Sequence, residues 1–546
     1  MQGNSLFSGC FRQLQDLQIL RFFRQISGFR VLHGRLIILA TNIGSTPSAK
    51  RDRSRLLTLP TMFGRCCSFS PSGTLTSRLL IGEHGRKRKG LIGGTGMRAN
   101  DMKLGLYLSH AGYHEGAWLD PSVPVNGGTD FAHYAEAAAL AEAAAFHFVF
   151  LADHLAVIND QAAVARISRD YASEPIGVMA ALSAKTRNIG LVATASTTYC
   201  QPYHLARIFA SLDHLSGGRA AWNIVTSASD SEAQNFGEEE LLAHDARYAR
   251  AREFVEVVKG LWDSWEDDAL IRNKQTGLYV DIRKLHPLRH QGSNFSVKGP
   301  LNIARPPQGH PVLVQAGASD AGITFAAEVG EVVFTAEPSL ENGKRYYANL
   351  KAKARALGRD EDQVLVMPGI VPVVGKTKQE ATEKLEKLRS YVHVEVSMAQ
   401  AQLWLGPVLD LRSVNLDSFV PESLPQTNFI QSRQKLLLDL AARRKLTWRQ
   451  LIRLVSDSAG HLMVVGTPTE IANTMVEVFD NRAADGFNVL PPTVPSGLND
   501  FIELVIPELR RRGKFRSSHF SGRTLRENLG LKRPVNRVLE GSEITR

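Results

Sequence analysis

Between residues 188 and 227 the hydrophobic pattern changes period twice. An apolar run leads into a Ser/Thr-rich corner, Thr194 to Tyr199. A 3.6-residue pattern follows (Leu205, Phe209, Leu212, Leu215), stops at Gly217-Gly218, and gives way to a second apolar run, Ala220 to Val225. Buried-strand, helix and buried-strand periods in that order predict one strand–helix–strand unit. Its polar residues fall where the strands end, which is where ligands gather in α/β folds of this kind.

The same alternation runs through the chain from about Lys103. Strands are expected at 103–109, 147–152, 311–315, 331–335, 364–374 and 486–490, besides the two above. Helices are expected at 129–145, 175–184, 245–265, 319–329, 340–357, 378–403 and 498–511. Two stretches break the pattern, 266–310 and 406–460, and read as insertions. Eight nearly continuous apolar strands, each trailed by a helix, imply a parallel sheet covered on both faces. The fold class predicted is α/β: a (β/α)8 TIM barrel with insertions over residues 101–535, then a tail, 536–546. No G-x-G-x-x-G follows the first strand, which argues against a dinucleotide-binding sheet.

Charge changes the picture at the N-terminus. The whole chain carries 65 Lys/Arg and 54 Asp/Glu for a net +11. Residues 1–100 hold 16 of the former and 3 of the latter, leaving 49 basic and 51 acidic residues in the body, which is close to neutral. The basic excess therefore gives no electrostatic argument for nucleic-acid binding by the main domain. Residues 1–100 show no sustained period and are expected to be a poorly structured basic leader. Three readings stay open for it: a transit peptide, a basic interaction tail, or an upstream start with true initiation at Met97 or Met102. Of 4 cysteines only Cys200 lies in the body, which fits a reducing cytoplasm. No apolar stretch approaches the roughly 20 residues of a membrane span.

Candidate chemistry sits at the strand ends. Asp153 closes the second strand, Thr194 the third, and Asn223 lies in the fourth. Gly317 and Ser319 follow the strand ending at Gln315, where small residues admit a ligand close to backbone and Ser319 can cap the next helix. Free N–H groups and the helix dipole would then cradle a phosphate; the plain alternative is an N-cap with no ligand. His244 and Tyr248, four apart, share a helix face and could both reach a phosphate or a ring edge, or simply pack. His110, His114, His133, His147 and His154 invite a metal reading, but no H-E-x-x-H or Cys cluster supports one, and no metal is expected.

Several strings are similar to one known family: FLADH, GLVATASTTY, LARIFASLDHLSGGRAAWNIVTS, RYARAREFVEVVKGLWDSW, GPLNIARPPQGHPVLVQAG and LRENLGL. Together they resemble the bacterial-luciferase-like flavin monooxygenases, within them the nitrilotriacetate monooxygenase component A and dibenzothiophene-sulfone monooxygenase group. The resemblance spans about residues 101–535 in matching order. It implies a TIM barrel binding FMN as FMNH2, delivered by a separate NAD(P)H-dependent flavin reductase. It further implies reaction with O2 through a C4a-peroxyflavin to oxygenate a small organic substrate: a sulfur compound, an aminocarboxylate or a xenobiotic. The same resemblance places Asp153 and Thr194 beside the isoalloxazine, Asn223 under the ring, and His244, Tyr248 and Ser319 at the phosphate. Ser109 and His110, ending the first strand, are candidates for assisting the oxygenated flavin. Ala228 stands where the alkane-oxidising relative carries a histidine. Relatives suggest a homodimer or homotetramer. Two other readings are kept: a deazaflavin-dependent hydride-transfer enzyme, and a flavin-binding barrel that turns nothing over.

Overall fold

A computed structural model describes residues 101–157, 160–168, 172–516, 520 and 522–539. The expectations for the leader, 1–100, and for the last residues of the tail fall outside the described residues. Nine parallel strands form the main sheet: β1 Lys103–Tyr107, β2 Phe148–Leu151, β3 Gly190–Ser196, β4 Ala220–Val225, β5 Val312–Gln315, β6 Val332–Thr335, β7 Leu365–Val374, β8 Leu462–Gly466 and β9 Gly486–Val489. In sheet order β6-β5-β4-β3-β2-β1-β9-β7 closes on itself through β6–β7, giving an eight-stranded parallel barrel.

The ninth strand, β8, was not anticipated. Ile370 of β7 pairs with Val489 of β9 and also with Leu462 of β8, so β8 lies on the other edge of β7. That edge is shared: β6 occupies it as far as Pro368, and β8 takes it over from Ile370 to Val374. The helix that follows, Pro468–Asp480, did carry a legible signal. Thr467 and Glu470 form a reciprocal capping box, with Pro468 in the first turn.

Strand periodicity decides what the barrel encloses. Phe148, Phe150, Val192, Ala221, Val312, Val314, Val332, Leu365 and Met367 make one apolar cluster, while Leu104, Leu106, Leu191, Trp222 and Ile224 belong to the cluster under the helices. Two residues further along the inward face come Thr194 after Val192, and Asn223 after Ala221. The interior therefore turns from apolar to polar at the carboxyl ends. Leu525, Leu529 and Leu531 from the C-terminal segment join the inner apolar cluster and fill the opposite end.

The helices that matter for the site are α1 Phe131–Ala143, α2 Pro175–Lys185, α3 Pro202–Ser216, α4 His244–Trp262, α5 Asp320–Val329 and α6 Leu340–Ala356. The single helix expected over 378–403 is two, α7 Lys378–Tyr391 and α8 Val394–Leu405. Val392 is extended between them, which lays its side chain on a small cluster of Ala163, Ile167, Val396 and Ala399. Residues 266–310 hold two short antiparallel hairpins, and 406–460 contain helices α9 Gln431–Arg444 and α10 Trp448–Ser458. The helix near the C-terminus begins at Ser496 and carries a π turn over Phe501–Val505. Pro507 has no N–H to give, and the ladder slips so that Ile506 N–H reaches the Phe501 carbonyl. Among the described residues no helix is long and apolar enough to cross a membrane.

Candidate active site

All nine residues singled out from the sequence line one cavity of about 580 Å3 at the carboxyl ends of the strands: Ser109, His110, Asp153, Thr194, Asn223, His244, Tyr248, Gly317 and Ser319. They arrive from β1 to β5 and the adjoining loops and helices, so barrel closure alone brings them together.

One end of the cavity is built around the start of α5. Ser319 is its N-cap: the hydroxyl accepts a hydrogen bond from Gly322 N–H at 3.1 Å. His244 Nε2 lies 3.4 Å from the same oxygen, and the His244 and Tyr248 rings are 4.9 Å apart. Burial raises the Tyr248 phenol, and hydrogen bonds with Ser319 and Thr226 work against that rise. Two glycines make the approach possible. A Cβ on Gly317 would sit 2.6 Å from the Gln315 amide nitrogen and 3.0 Å from Gly322 Cα, while one on Gly322 would sit 3.0 Å from both Ser319 Oγ and Tyr248 Oη. Tyr346 of α6 donates from its hydroxyl to Gly317 O at 2.9 Å and holds the loop in place. The insertion latches onto the same end, where Asn428 Oδ1 accepts from His244 N–H (3.2 Å) and Asn428 O accepts from Arg247 (3.0 Å).

The middle of the cavity is polar. Thr194 donates to Leu151 O at 2.8 Å and accepts from Asn223 Nδ2 at 3.0 Å. That leaves Asn223 Oδ1 buried with no partner, and Gln315 Oε1 is in the same condition. Buried carbonyl oxygens left without donors are costly. A ligand presenting N–H groups would satisfy them.

Asp153 stands two residues beyond β2. Burial pushes its carboxyl up to about 7, with Glu174 and Glu232 adding to the rise and His154 N–H opposing it. A carboxyl whose folded value is raised favours folding fully below its unfolded value, and this contribution is lost as pH rises through about 7. Asp153→Asn is therefore expected to match the wild type near pH 4 and to be progressively more stable than it up to pH 8. Thermal melts of both proteins across that range check it; parallel curves would show that Asp153 is not buried among acids.

Ser109 is already engaged in its own turn, donating to Gly112 O at 2.8 Å and accepting from Gly112 N–H. The His110 carbonyl is held by His133 Nε2 at 2.6 Å. Neither arrangement singles out a proton donor. Among the described residues no group of three or more His, Cys, Asp or Glu is placed to hold a metal ion.

Several lining residues were missed from the sequence: Tyr346, Glu337, Arg433 and His461. Gly322, whose N–H donates to the Ser319 hydroxyl, was missed as well; it lies three residues beyond Ser319, and the cap spacing could have pointed to it. Tyr346 reads as an ordinary helix residue, and Arg433 lies in a stretch without period, so neither carried a local signal.

The chain matches the family model described as luciferase-like monooxygenase over residues 108–485. It is 44% identical over 441 residues to the N-acetyl-S-(2-succino)cysteine monooxygenase of Bacillus subtilis (strain 168), covering 81% of this chain and 99% of that protein. It is also 44% identical over 455 residues to nitrilotriacetate monooxygenase component A of Aminobacter aminovorans, covering 82% and 100%. Among solved structures, riboflavin lyase with modified FMN and riboflavin superposes with a TM-score of 0.72 at 34% identity, over 80% of this chain and 97% of that one.

Proposed function

The chain belongs to the luciferase-like monooxygenase family and is a flavin-dependent monooxygenase, and on that premise we propose that its cavity holds FMN as FMNH2, supplied by a separate NAD(P)H-dependent flavin reductase, for oxygenation of a small organic substrate by O2. The separate reductase is suggested by the relative named component A, whose name implies a second component. Bound reduced flavin would supply the two electrons that let O2 deliver one oxygen atom to substrate, the other leaving as water.

The observation that carries the reading is the match between donors and ligand. Ser319, His244 and Tyr248 converge on the start of a ten-residue helix whose neighbouring loop has no Cβ at Gly317. A phosphate fits there because the free N–H groups and the helix dipole favour an anion. The unpartnered oxygens of Asn223 and Gln315 supply acceptors for ring N–H groups. Thr194 orients the Asn223 amide, and Asp153, neutral through much of the range below pH 7, can donate a hydrogen bond to a ring oxygen. Beneath them the apolar barrel interior keeps water away from the reacting atoms.

Mixing chemically reduced FMN, 18O2 and N-acetyl-S-(2-succino)cysteine with the full chain tests the reading. It predicts tight FMNH2 binding, and product carrying one 18O atom when the substrate is accepted. Substrate turnover with a reduced 5-deazaflavin in the absence of oxygen would replace it with the hydride-transfer alternative. Tight binding with no oxygen consumption under any condition would leave a barrel that only stores flavin.

A further inference from the structure

The wall of the cavity away from the Ser319 end is a closed circuit of five aromatic rings. Tyr107 and Tyr113 meet edge to face at 5.4 Å, Tyr113 and His461 at 5.5 Å. His461 stacks on Phe334 at 5.2 Å; Phe334 lies 5.8 Å from Phe150, and Phe150 5.6 Å from Tyr107. All five line the cavity. They come from β1, the loop after it, β2, β6 and the residue before β8, and Val371, Ala459 and Leu490 support them from below.

A cation, Arg433, overlooks this wall. The Arg433 guanidinium lies 5.0 Å over the Trp404 ring, and its NH1 donates to Ala459 O at 2.6 Å. Among the described residues it makes no ion pair within 4.0 Å. Glu337, a nearby acid, is engaged by the Thr335 hydroxyl at 3.0 Å instead. Arg433 is thus anchored by one nitrogen and an aromatic face, with its remaining N–H groups free for an incoming acceptor. Tyr346 stands between this side and the Ser319–His244–Tyr248 end, facing Glu337 on one side and donating to Gly317 O on the other.

We propose that this second subsite selects the substrate: a small organic carboxylate whose charged end is held by Arg433 and whose apolar part lies against the five-ring wall. A guanidinium fork matches a carboxylate in geometry and in charge. Aromatic faces and edges suit a thioether, a ring or a short hydrocarbon segment. The proposal names the substrate class for the monooxygenase reading and rests on it for the reaction, not for the binding.

Glu337 tunes the subsite. Burial raises its carboxyl to about 7, against the hydrogen bond from Thr335 and the charges of Arg433 and Arg345, and the Tyr346 phenol is its remaining titratable neighbour. Below pH 7 it is largely neutral and leaves Arg433 to the ligand; above it, the ionised form competes.

The binding test uses the flavin-free full chain, 3-phenylpropionate and its neutral amide, an isosteric pair differing in charge. Tryptophan fluorescence, with Trp404→Phe as control, reports occupancy beside Arg433. The acid is expected to bind the wild type about tenfold or more better than the amide does. Arg433→Gln should remove that preference, Arg433→Lys should restore part of it, and FMN affinity should stay within about twofold in both variants. Wild-type affinity for the acid should fall as pH rises through 7, and Glu337→Gln should flatten that profile. Equal affinity for acid and amide, no binding of either, or an unchanged preference in Arg433→Gln each overturns the proposal. Failure of FMNH2 binding in the wild type would instead overturn the flavin reading while leaving these titrations interpretable.

Discussion

Arg526→Met is expected to lower the stability of the fold by about 3–5 kcal/mol, the range seen when one partner of a buried ion pair is removed. The side chain is fully buried at the closed end of the barrel. It forks onto the Glu331 carboxylate (NH1–Oε1 2.5 Å, NH2–Oε2 2.9 Å) and also donates to His310 O and Lys532 O, both at 3.0 Å. Its own N–H donates to Gln308 Oε1 at 3.0 Å, and Gln308 in turn is bound to buried Asp213. Burial pushes the Glu331 carboxyl up, and Arg526, with help from Leu313 N–H and the charge of Lys259, more than reverses this, holding it below the ordinary carboxylate range. Removing the guanidinium leaves that acid buried without its partner. It also unfastens the segment whose Leu525, Leu529 and Leu531 fill the barrel end. Urea titration gives the loss in stability, and trypsin cleavage after Arg523 should become rapid. Arg526→Met with Glu331→Leu should recover much of the loss, because an apolar pair of similar volume carries no stranded charge. A single variant as stable as the wild type would mean that the C-terminal segment contributes nothing to the barrel.

Ser319→Asp is expected to weaken FMN binding by at least about 100-fold, or about 2.7 kcal/mol. Aspartate is a good N-cap, so α5 should keep its first turn. The change is electrostatic: a carboxylate would stand where the phosphate of FMN is proposed to lie, and two like charges about 4 Å apart repel by up to roughly 4 kcal/mol near a protein surface. Riboflavin, which has no phosphate, supplies the control. Its affinity should change little, and circular dichroism should show an intact helix content. Parallel losses for FMN and riboflavin would point to a damaged fold, and no loss for FMN would place the phosphate elsewhere in the cavity.

Both experiments touch residues whose legibility in the sequence differs sharply. Ser319 could be found by reading: a strand ends at Gln315, small residues follow, and a hydroxyl stands at the first turn of the next helix, all within a few positions. Thr194 and Asn223 are legible because period-two alternation carries the inward face of Val192 and Ala221 on to the carboxyl end. Asp153 shares the parity of Val149 and Leu151, which pack under the helices, and is legible only as the polar residue that follows a strand. Arg526 is different. LRENLGL was noticed as a shared string, yet nothing within it says that its arginine meets Glu331, 195 residues earlier in the chain. β8 carries little signal of its own, and the sequence announces only its successor helix, with Thr467-Pro468-Thr469-Glu470.

The amino-acid sequence alone determined the alternation of strands and helices, the barrel class, and which side chains crown the strands. Each of those follows from hydrogen bonding and burial within a few residues. Tertiary structure alone decided how the ring closes, where β8 joins it, and how the insertion sets Arg433 over Trp404. It also decided that Tyr107, Tyr113, Phe150, Phe334 and His461 share one wall, and that three leucines from the C-terminal segment seal the far end. Those contacts join residues tens to hundreds of positions apart. They exist because a closed sheet fixes every strand against its neighbours, a constraint that no local periodicity records.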